Sequence, residues 1–226
     1  MNDFNTVQES SHVYVLLSET QSKFGRIIRK VTGAKYNHAS IAFDRELRQL
    51  YSFARKKRKV PLVCGIVREY PERFSLRLAS RVNVKLFRIP VTDLQFARGR
   101  ARILEIERDG MYIYNLFSAL SYPVLHGFPT YKAYTCSEFV THLLIHMGVL
   151  SPALPPEQVT PEQLGELLAE YAVYEGDLLT ICQGSPEEAE YFFGQPDYLR
   201  DSAESVQAVL TLIYRFFRYG VVFNDR

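Results

Sequence analysis

The chain has 226 residues, of which 47% are hydrophobic and 23% charged, and its formal net charge is +2. This length and composition exclude an intrinsically disordered chain and fit one large domain, or one domain with an extension. The nearly balanced charge gives no basis for a nucleic-acid-binding protein.

The first part of the chain predicts a strand, a helix and a β-hairpin. Residues 12–17, apolar from Val13 onwards, predict a buried strand, and the spacing of apolar side chains in residues 21–31 predicts a short helix. Residues 39–43 and 49–54 predict two strands, and the charged segment 44–48 between them predicts the turn of a hairpin.

The middle of the chain predicts mainly helices. The alternation in residues 83–89 predicts a strand that Pro90 ends, and Thr92 or Asp93 can then cap a helix that runs to about Arg108. Residues 112–120 predict a short helix, residues 123–132 a loop and residues 136–147 a helix. A helix beginning at Thr160 and a last strand at residues 178–182 complete an α+β domain.

The sequence after residue 184 changes character, so we assign residues 1–184 to the main domain and residues 185–226 to a C-terminal helical extension. Val206, Leu210, Ile213 and Phe217 recur on one stripe, which predicts an amphipathic helix. Packing of this helix on the domain is the preferred interpretation. Contact with a membrane surface, through the aromatic and basic residues 215–219, is the alternative.

Two residues far apart in the sequence are candidates for a nucleophilic site. Thr135 is a suitable N-cap, so Cys136 falls in the first turn of its helix, where free N–H groups and the helix dipole favour a thiolate. His38 begins an alternating strand and could serve as the general base. The competing interpretation is that Cys136 is a small core residue and His38 a structural histidine.

The third polar group of such a site orients the imidazole. If Ser40 lies opposite Ser52 in the hairpin, then Ser52 is a diagonal neighbour of His38 and is our candidate for this role. Serine is a weak orienting group, and a slip of one residue would remove it from the site. Glu69 and Asp44 are the substitutes.

These segments together resemble the NlpC/P60 superfamily of papain-like thiol hydrolases, in its circularly permuted branch. The His38 strand (Tyr-Asn-His-Ala-Ser-Ile-Ala-Phe) comes first, the Ser52 strand (Leu-Tyr-Ser-Phe-Ala) follows, and the Cys136 helix (Cys-Ser-Glu-Phe-Val) comes last. Residues 13–18 and 24–29 also resemble bacterial permuted members of the YiiX type. The resemblance covers about residues 12–182 and implies a papain-like fold with a small antiparallel sheet packed against helices.

The resemblance also implies an activity. Cys136 matches the nucleophile, His38 the general base and Ser52 the polar third residue, a position more often held by His, Asn, Gln or Glu. The implied function is a cysteine peptidase or amidase that works through an acyl-enzyme thioester on a small peptide, amide or acyl substrate. The alternatives are an ester or lipid acyl hydrolase or acyltransferase of the lecithin:retinol acyltransferase type, and a catalytically weak binding module that keeps the fold.

No cofactor and no metal are expected. His142 and His146 lie one helical turn apart, but no HExxH motif surrounds them, so we interpret them as residues of the helix surface. The basic residues 55–59 would favour an anionic substrate, unless they form a solvated loop.

The expected compartment is the cytoplasm. The polar N-terminal residues precede an apolar run too short for a signal peptide, and no apolar run reaches the length of a transmembrane helix. Cys64, Cys136 and Cys182 form no close pair in the sequence, which argues against a disulfide framework and fits a reducing compartment.

Overall fold

The computed structural model of the chain describes residues 11–20, 34–48, 50–57, 60–75, 81–182 and 197–219. The strands, in chain order, are β1 (Ser11–Ser18), β2 (His38–Ala42), β3 (Leu50–Lys57), β4 (Val60–Glu69), β5 (Asn83–Val91), β6 (Ile113–Tyr114), β7 (Ala133–Tyr134) and β8 (Ala172–Asp177). The α-helices are α1 (Pro71–Phe74), α2 (Asp93–Asp109), α3 (Leu116–Leu125), α4 (Cys136–His146), α5 (Pro161–Leu167) and α6 (Tyr198–Tyr219). The helix predicted over residues 21–31 and the predicted boundary after residue 184 lie outside the described residues.

One six-stranded antiparallel sheet organises the molecule, with the strand order β4-β3-β2-β1-β5-β8. Strands β6 and β7 form a separate parallel pair directly before α4. The combination of an antiparallel sheet with helices makes the fold α+β, as the order of predicted elements indicated.

Both faces of the sheet are covered, and the central strand β1 carries apolar side chains on each of them. Val13, Val15 and Leu17 of β1 face the core cluster that also contains residues of α2 and α4. Tyr14 and Leu16 alternate with them and face a second cluster, which includes Phe74 of α1. Helix α4 is therefore held against the sheet by its own apolar face, and its first residue is fixed relative to the strands.

The predicted hairpin register is confirmed. Ile41 pairs with Tyr51 and Ala42 with Leu50, which brings Ser40 opposite Ser52 if the same register is extended. Within the described strands, the ladder between β2 and β3 stops at Ile41. The position of His38, the first residue of β2, is consequently not fixed by a ladder partner on β3.

Two predicted elements differ from the structure. The predicted helix at residues 112–120 begins later, because Ile113 and Tyr114 pair with β7 and the Asn115 side chain accepts the amide N–H of Ser118 to cap α3. Helix α3 then continues to Leu125, into the predicted loop.

The last strand is β8, and it precedes the predicted position at residues 178–182. A 3₁₀ turn, Leu178–Thr180, occupies the predicted segment, because the Asp177 side chain accepts the N–H of Leu179 and Leu178 turns into the core. β8 is a half-exposed edge strand with polar and small residues, so it lacks the apolar alternation that a sequence pattern detects.

Helix α6 packs against β4. Leu212 and Arg215 of this helix are buried, whereas the predicted stripe of Val206, Leu210, Ile213 and Phe217 is exposed. Among the described residues, no helix is long and apolar enough to cross a membrane.

The loop that leads to Cys136 depends on a glycine, and Gly127→Ala is expected to be strongly destabilising. Gly127 has φ +87°, and an added Cβ would lie 2.0 Å from the backbone oxygen of Glu157. We expect the free energy of unfolding to fall by about 3 kcal/mol or more, equivalent to a melting temperature lower by roughly 6–12 °C.

Gly110→Ala is the matched control in thermal denaturation. Gly110 also has a left-handed backbone, with φ +65°, but nothing lies within 4 Å of an added Cβ. In this variant backbone strain alone should lower the free energy of unfolding, by about 1–2 kcal/mol. Equal losses of stability in the two variants would show that the close approach of Glu157 does not matter.

Candidate active site

Cys136 is the first residue of helix α4. The Thr135 side chain accepts the N–H of Glu138, and the Glu138 carboxylate accepts the N–H of Thr135, which is a complete capping box. This arrangement leaves the backbone N–H groups of Cys136 and Ser137 without an acceptor inside the helix. The helix start therefore offers the sulfur and two backbone donors at the same place.

His38 is held by a carboxylate that lies two strands away in the sheet. The distance from His38 Nε2 to Glu69 Oε2 is 2.8 Å, and the Ser40 hydroxyl donates to the same Glu69 oxygen at 2.6 Å. Glu69 is the last residue of β4 and pairs with Leu50, so its side chain crosses β3 to reach β2. All three side chains are buried.

Charge interactions determine the protonation states of His38 and Glu69. Burial alone would lower the pKa of His38, but the Glu69 carboxylate and the Cys136 sulfur outweigh it and raise the pKa to about 10. Burial alone would raise the pKa of Glu69, but the charge and hydrogen bond of His38, assisted by Arg73 and Ser40, lower it to about 2. The site therefore favours an imidazolium next to a carboxylate.

The sulfur of Cys136 lies close enough to the His38 ring to be one of the groups that raise the pKa of the ring. Because Glu69 occupies Nε2, the nitrogen left for Cys136 is Nδ1. The imidazole is thus close to both the Cys136 sulfur and the Glu69 carboxylate, although Cys136 and His38 are 98 positions apart in the sequence. Both side chains are largely shielded from solvent, with 6% and 8% of their surface exposed.

The hydrogen-bond partner of His38 is neither of the other two candidates for the third group. Ser52 is fully buried, and its hydroxyl has no hydrogen-bond partner among the described residues. Asp44 accepts the N–H of Arg48 and so stabilises the hairpin turn. The structure therefore brings Glu69, which the sequence identified only as a substitute, into hydrogen-bond contact with His38.

Two further neighbours of the site were not identified from the sequence. The Phe74 ring lies 5.9 Å from the His38 ring and covers it from solvent. Tyr114 lies near Cys136, and burial first, then its electrostatic interactions with Cys136, Cys64 and Glu138, raise its pKa well above the ordinary value. Tyr114 is consequently a neutral phenol that can donate a hydrogen bond near the sulfur. No local motif marks either residue.

The described residues contain no group of three or more His, Cys, Asp and Glu side chains that could hold a metal ion. His142 instead packs against the Tyr134 ring at 5.4 Å. The three cysteines are free thiols.

Comparisons with known proteins identify no relative of this chain. No protein-family model, no curated protein and no solved structure matches it.

Ser40→Ala is expected to slow the reaction of Cys136 with iodoacetamide at neutral pH by about three- to tenfold. The variant removes one hydrogen bond to Glu69, worth about 1 kcal/mol, while the contact between His38 and Glu69 remains. Ser52→Ala is the matched control, because Ser52 is an equally buried serine without a partner among the described residues. A larger effect of Ser52→Ala than of Ser40→Ala would contradict the geometry.

Proposed function

We propose that the chain is a cysteine hydrolase of the peptidase or amidase class that works through an acyl-enzyme thioester. The observation that carries the proposal is the position of the His38 ring between the Cys136 sulfur and the Glu69 carboxylate. A nucleophile, a base and a group that orients the base are the minimum parts of such a site. Cys136 is the nucleophile, His38 the general acid and base, and Glu69 the orienting residue.

In the first half of the reaction, the Cys136 sulfur attacks the carbonyl carbon of the substrate as a thiolate, its proton having passed to His38 to form the imidazolium. A C–S bond forms, and the negative charge that develops on the carbonyl oxygen is stabilised by the free N–H groups of Cys136 and Ser137. His38 then gives its proton to the leaving amine as the C–N bond breaks. The amine departs, and the acyl group remains on Cys136 as a thioester.

In the second half, water replaces the amine. Neutral His38 takes a proton from water, and the oxygen attacks the thioester carbonyl. The C–S bond breaks, the carboxylic acid leaves, and the thiolate and imidazolium are restored. Glu69 stays ionised throughout, because its role is to stabilise the imidazolium and to fix the orientation of the ring.

The proposal extends to membership of the circularly permuted NlpC/P60 superfamily. Its support is the order of the strand with His38, the hairpin partner β3 and the helix with Cys136, together with the α+β fold. The alternative of a non-catalytic binding module rested on Ser52 as a weak orienting group. A buried carboxylate on His38 removes that argument and favours an active site.

Reaction with p-nitrophenyl acetate tests the proposed function. Burial raises the pKa of Cys64 to about 11 and that of Cys182 to about 12, so both should remain unreactive thiols at neutral pH. We expect mass spectrometry to find one acetyl group, located on Cys136, and continued release of acetate over many turnovers. Acetylation of Cys64 or Cys182 in its place, or an acetyl group that water never removes, would contradict the proposal.

A further inference from the structure

Helix α6 is attached to the domain by charged side chains near both of its ends. Near its start, Lys57 of β3 donates to Asp201 at 2.6 Å and to Glu204 at 3.1 Å. Near its end, Arg215 is buried, with 8% of its surface exposed. The two attachments hold different parts of the domain, because Lys57 is the last residue of β3, whereas Arg215 reaches the segments that enter β6 and β7.

The Arg215 guanidinium joins the two chain segments that lead into the β6–β7 pair. Nη2 donates to the backbone oxygen of Met111 at 2.8 Å, and Nη1 donates to that of Lys132 at 2.9 Å and to that of Tyr131 at 3.2 Å. Met111 lies two residues before β6, and Lys132 directly precedes β7. The planar fork of a guanidinium can hold both segments in a fixed geometry, which the point charge of an ammonium cannot do.

Lys132 is the residue at which the chain depends most on this contact. Its φ is +48°, a left-handed backbone conformation that is costly for a residue with a side chain. Its carbonyl oxygen accepts both the Arg215 guanidinium and, at 3.1 Å, the N–H of Ile113, a hydrogen bond at the start of the β6–β7 pair. A strained conformation persists where the surrounding contacts fix it. The guanidinium therefore holds the carbonyl from which the strand pair starts.

The strand pair leads directly to the nucleophile. The N–H of Asn115 donates to the backbone oxygen of Tyr134 at 2.9 Å, so the chain is held two residues before Cys136. Thr135, the residue between them, is the N-cap of α4. A shift of the strand pair would therefore displace the cap, and with it the sulfur and the free N–H groups at the helix start. A misplacement of about 1 Å at a reacting group can slow a reaction by about 10²-fold.

We propose that Arg215 is a positioning residue for Cys136. Its guanidinium fixes the β6–β7 pair, and this pair fixes the start of α4 relative to the His38 ring. The inference rests on the proposed function, since it gives Arg215 a part in the same reaction. Helix α6 then completes the active site from a distance, by holding the backbone that carries the nucleophile.

Arg215→Gln in the full chain tests the proposal, because glutamine lacks the fork that joins the two segments. We expect acetylation of Cys136 by p-nitrophenyl acetate, measured well below the melting temperature, to slow by about tenfold or more. The amide N–H groups of Ile113 and Asn115, which donate across the strand pair, should exchange with deuterium about tenfold faster. The amides of β1 should exchange as in the wild type, which distinguishes loss of positioning from a general loss of stability.

Arg215→Lys is a milder second variant that keeps the positive charge and the aliphatic stem. It should show the same two changes, because the fork and not the charge joins the segments. Lys57→Met is the matched control, since it removes the charged attachment near the other end of α6 and leaves the contacts of Arg215 in place. This variant should be acetylated at the wild-type rate.

Three results would overturn the inference about Arg215. They are acetylation of both Arg215 variants at the wild-type rate, an equally large loss in Lys57→Met, and unchanged exchange of Ile113 and Asn115. Failure of the proposed function gives a different result, because the wild type itself would then not be acetylated on Cys136.

Discussion

Cys136→Ala is expected to abolish acetylation and turnover of p-nitrophenyl acetate while the protein stays folded. The substitution removes the attacking sulfur, and no other described thiol lies next to His38. The side chain is small and lies at a helix start, so the free energy of unfolding should change by only about 1 kcal/mol. Activity is measured by release of p-nitrophenol and stability by urea denaturation.

Cys182→Ala is the matched control for this substitution, since Cys182 is equally buried, with 6% of its surface exposed. It should retain full activity. Turnover by Cys136→Ala at the wild-type rate would exclude Cys136 as the nucleophile. A loss of stability far above that of Cys182→Ala would instead favour a structural role for Cys136.

Glu69→Gln is expected to lower the rate of acetylation at neutral pH by about 10²-fold. Glutamine can still accept a hydrogen bond from the imidazole, but it has no charge to stabilise the imidazolium. Asp44→Asn is the control, because Asp44 was the other carboxylate considered for this role and instead bonds Arg48 in the hairpin turn. If Asp44→Asn were as damaging as Glu69→Gln, the assignment of Glu69 would be wrong.

The stability difference between the wild type and Glu69→Gln should depend on pH. The pKa of Glu69 is lowered from 4.5 to about 2, so its contribution is present above pH 4.5 and lost as the pH falls towards 2. The pKa of His38 is raised from 6.5 to about 10, so its contribution is complete below pH 6.5 and lost as the pH rises towards 10. Thermal denaturation should therefore show the largest difference between these limits, at mildly acidic pH.

Local sequence signals predicted the parts of the site but not all of their contacts. Thr135 and Glu138 form a capping box within four residues, so the position of Cys136 at a helix start follows from the sequence. The alternation of β2 and β3 likewise predicted which residues share a face, but their register was an assumption, which the pairing of Ile41 with Tyr51 confirms.

The contact between His38 and Glu69 could not be predicted in the same way. It depends on the register between β3 and β4, which shifts at an irregularity between Arg55 and Lys57. The position of Glu69 is thus determined by the whole strand rather than by a local pattern. Ser52 was preferred because it lies on the adjacent strand, yet the longer side chain of Glu69 reaches His38 across that strand.

The orientation of α6 shows a second limit of prediction from the sequence. Apolar periodicity identifies a helix and its apolar face, but it does not determine what covers that face. Here Arg215 and Asp201, two charged residues, make the contacts that fix the helix on the domain. Such contacts to backbone oxygens and to a distant lysine leave no periodic signal in the sequence.

The titration of His38 by NMR tests the assembled site most directly. Its ring signal can be assigned, among the five histidines of the chain, by its loss in His38→Gln. If His38 lies between Cys136 and Glu69, the ring should remain protonated well above pH 6.5, with a pKa near 10, and Glu69→Gln should lower that pKa. A pKa of His38 close to 6.5 in both proteins would contradict the arrangement and the mechanism built on it.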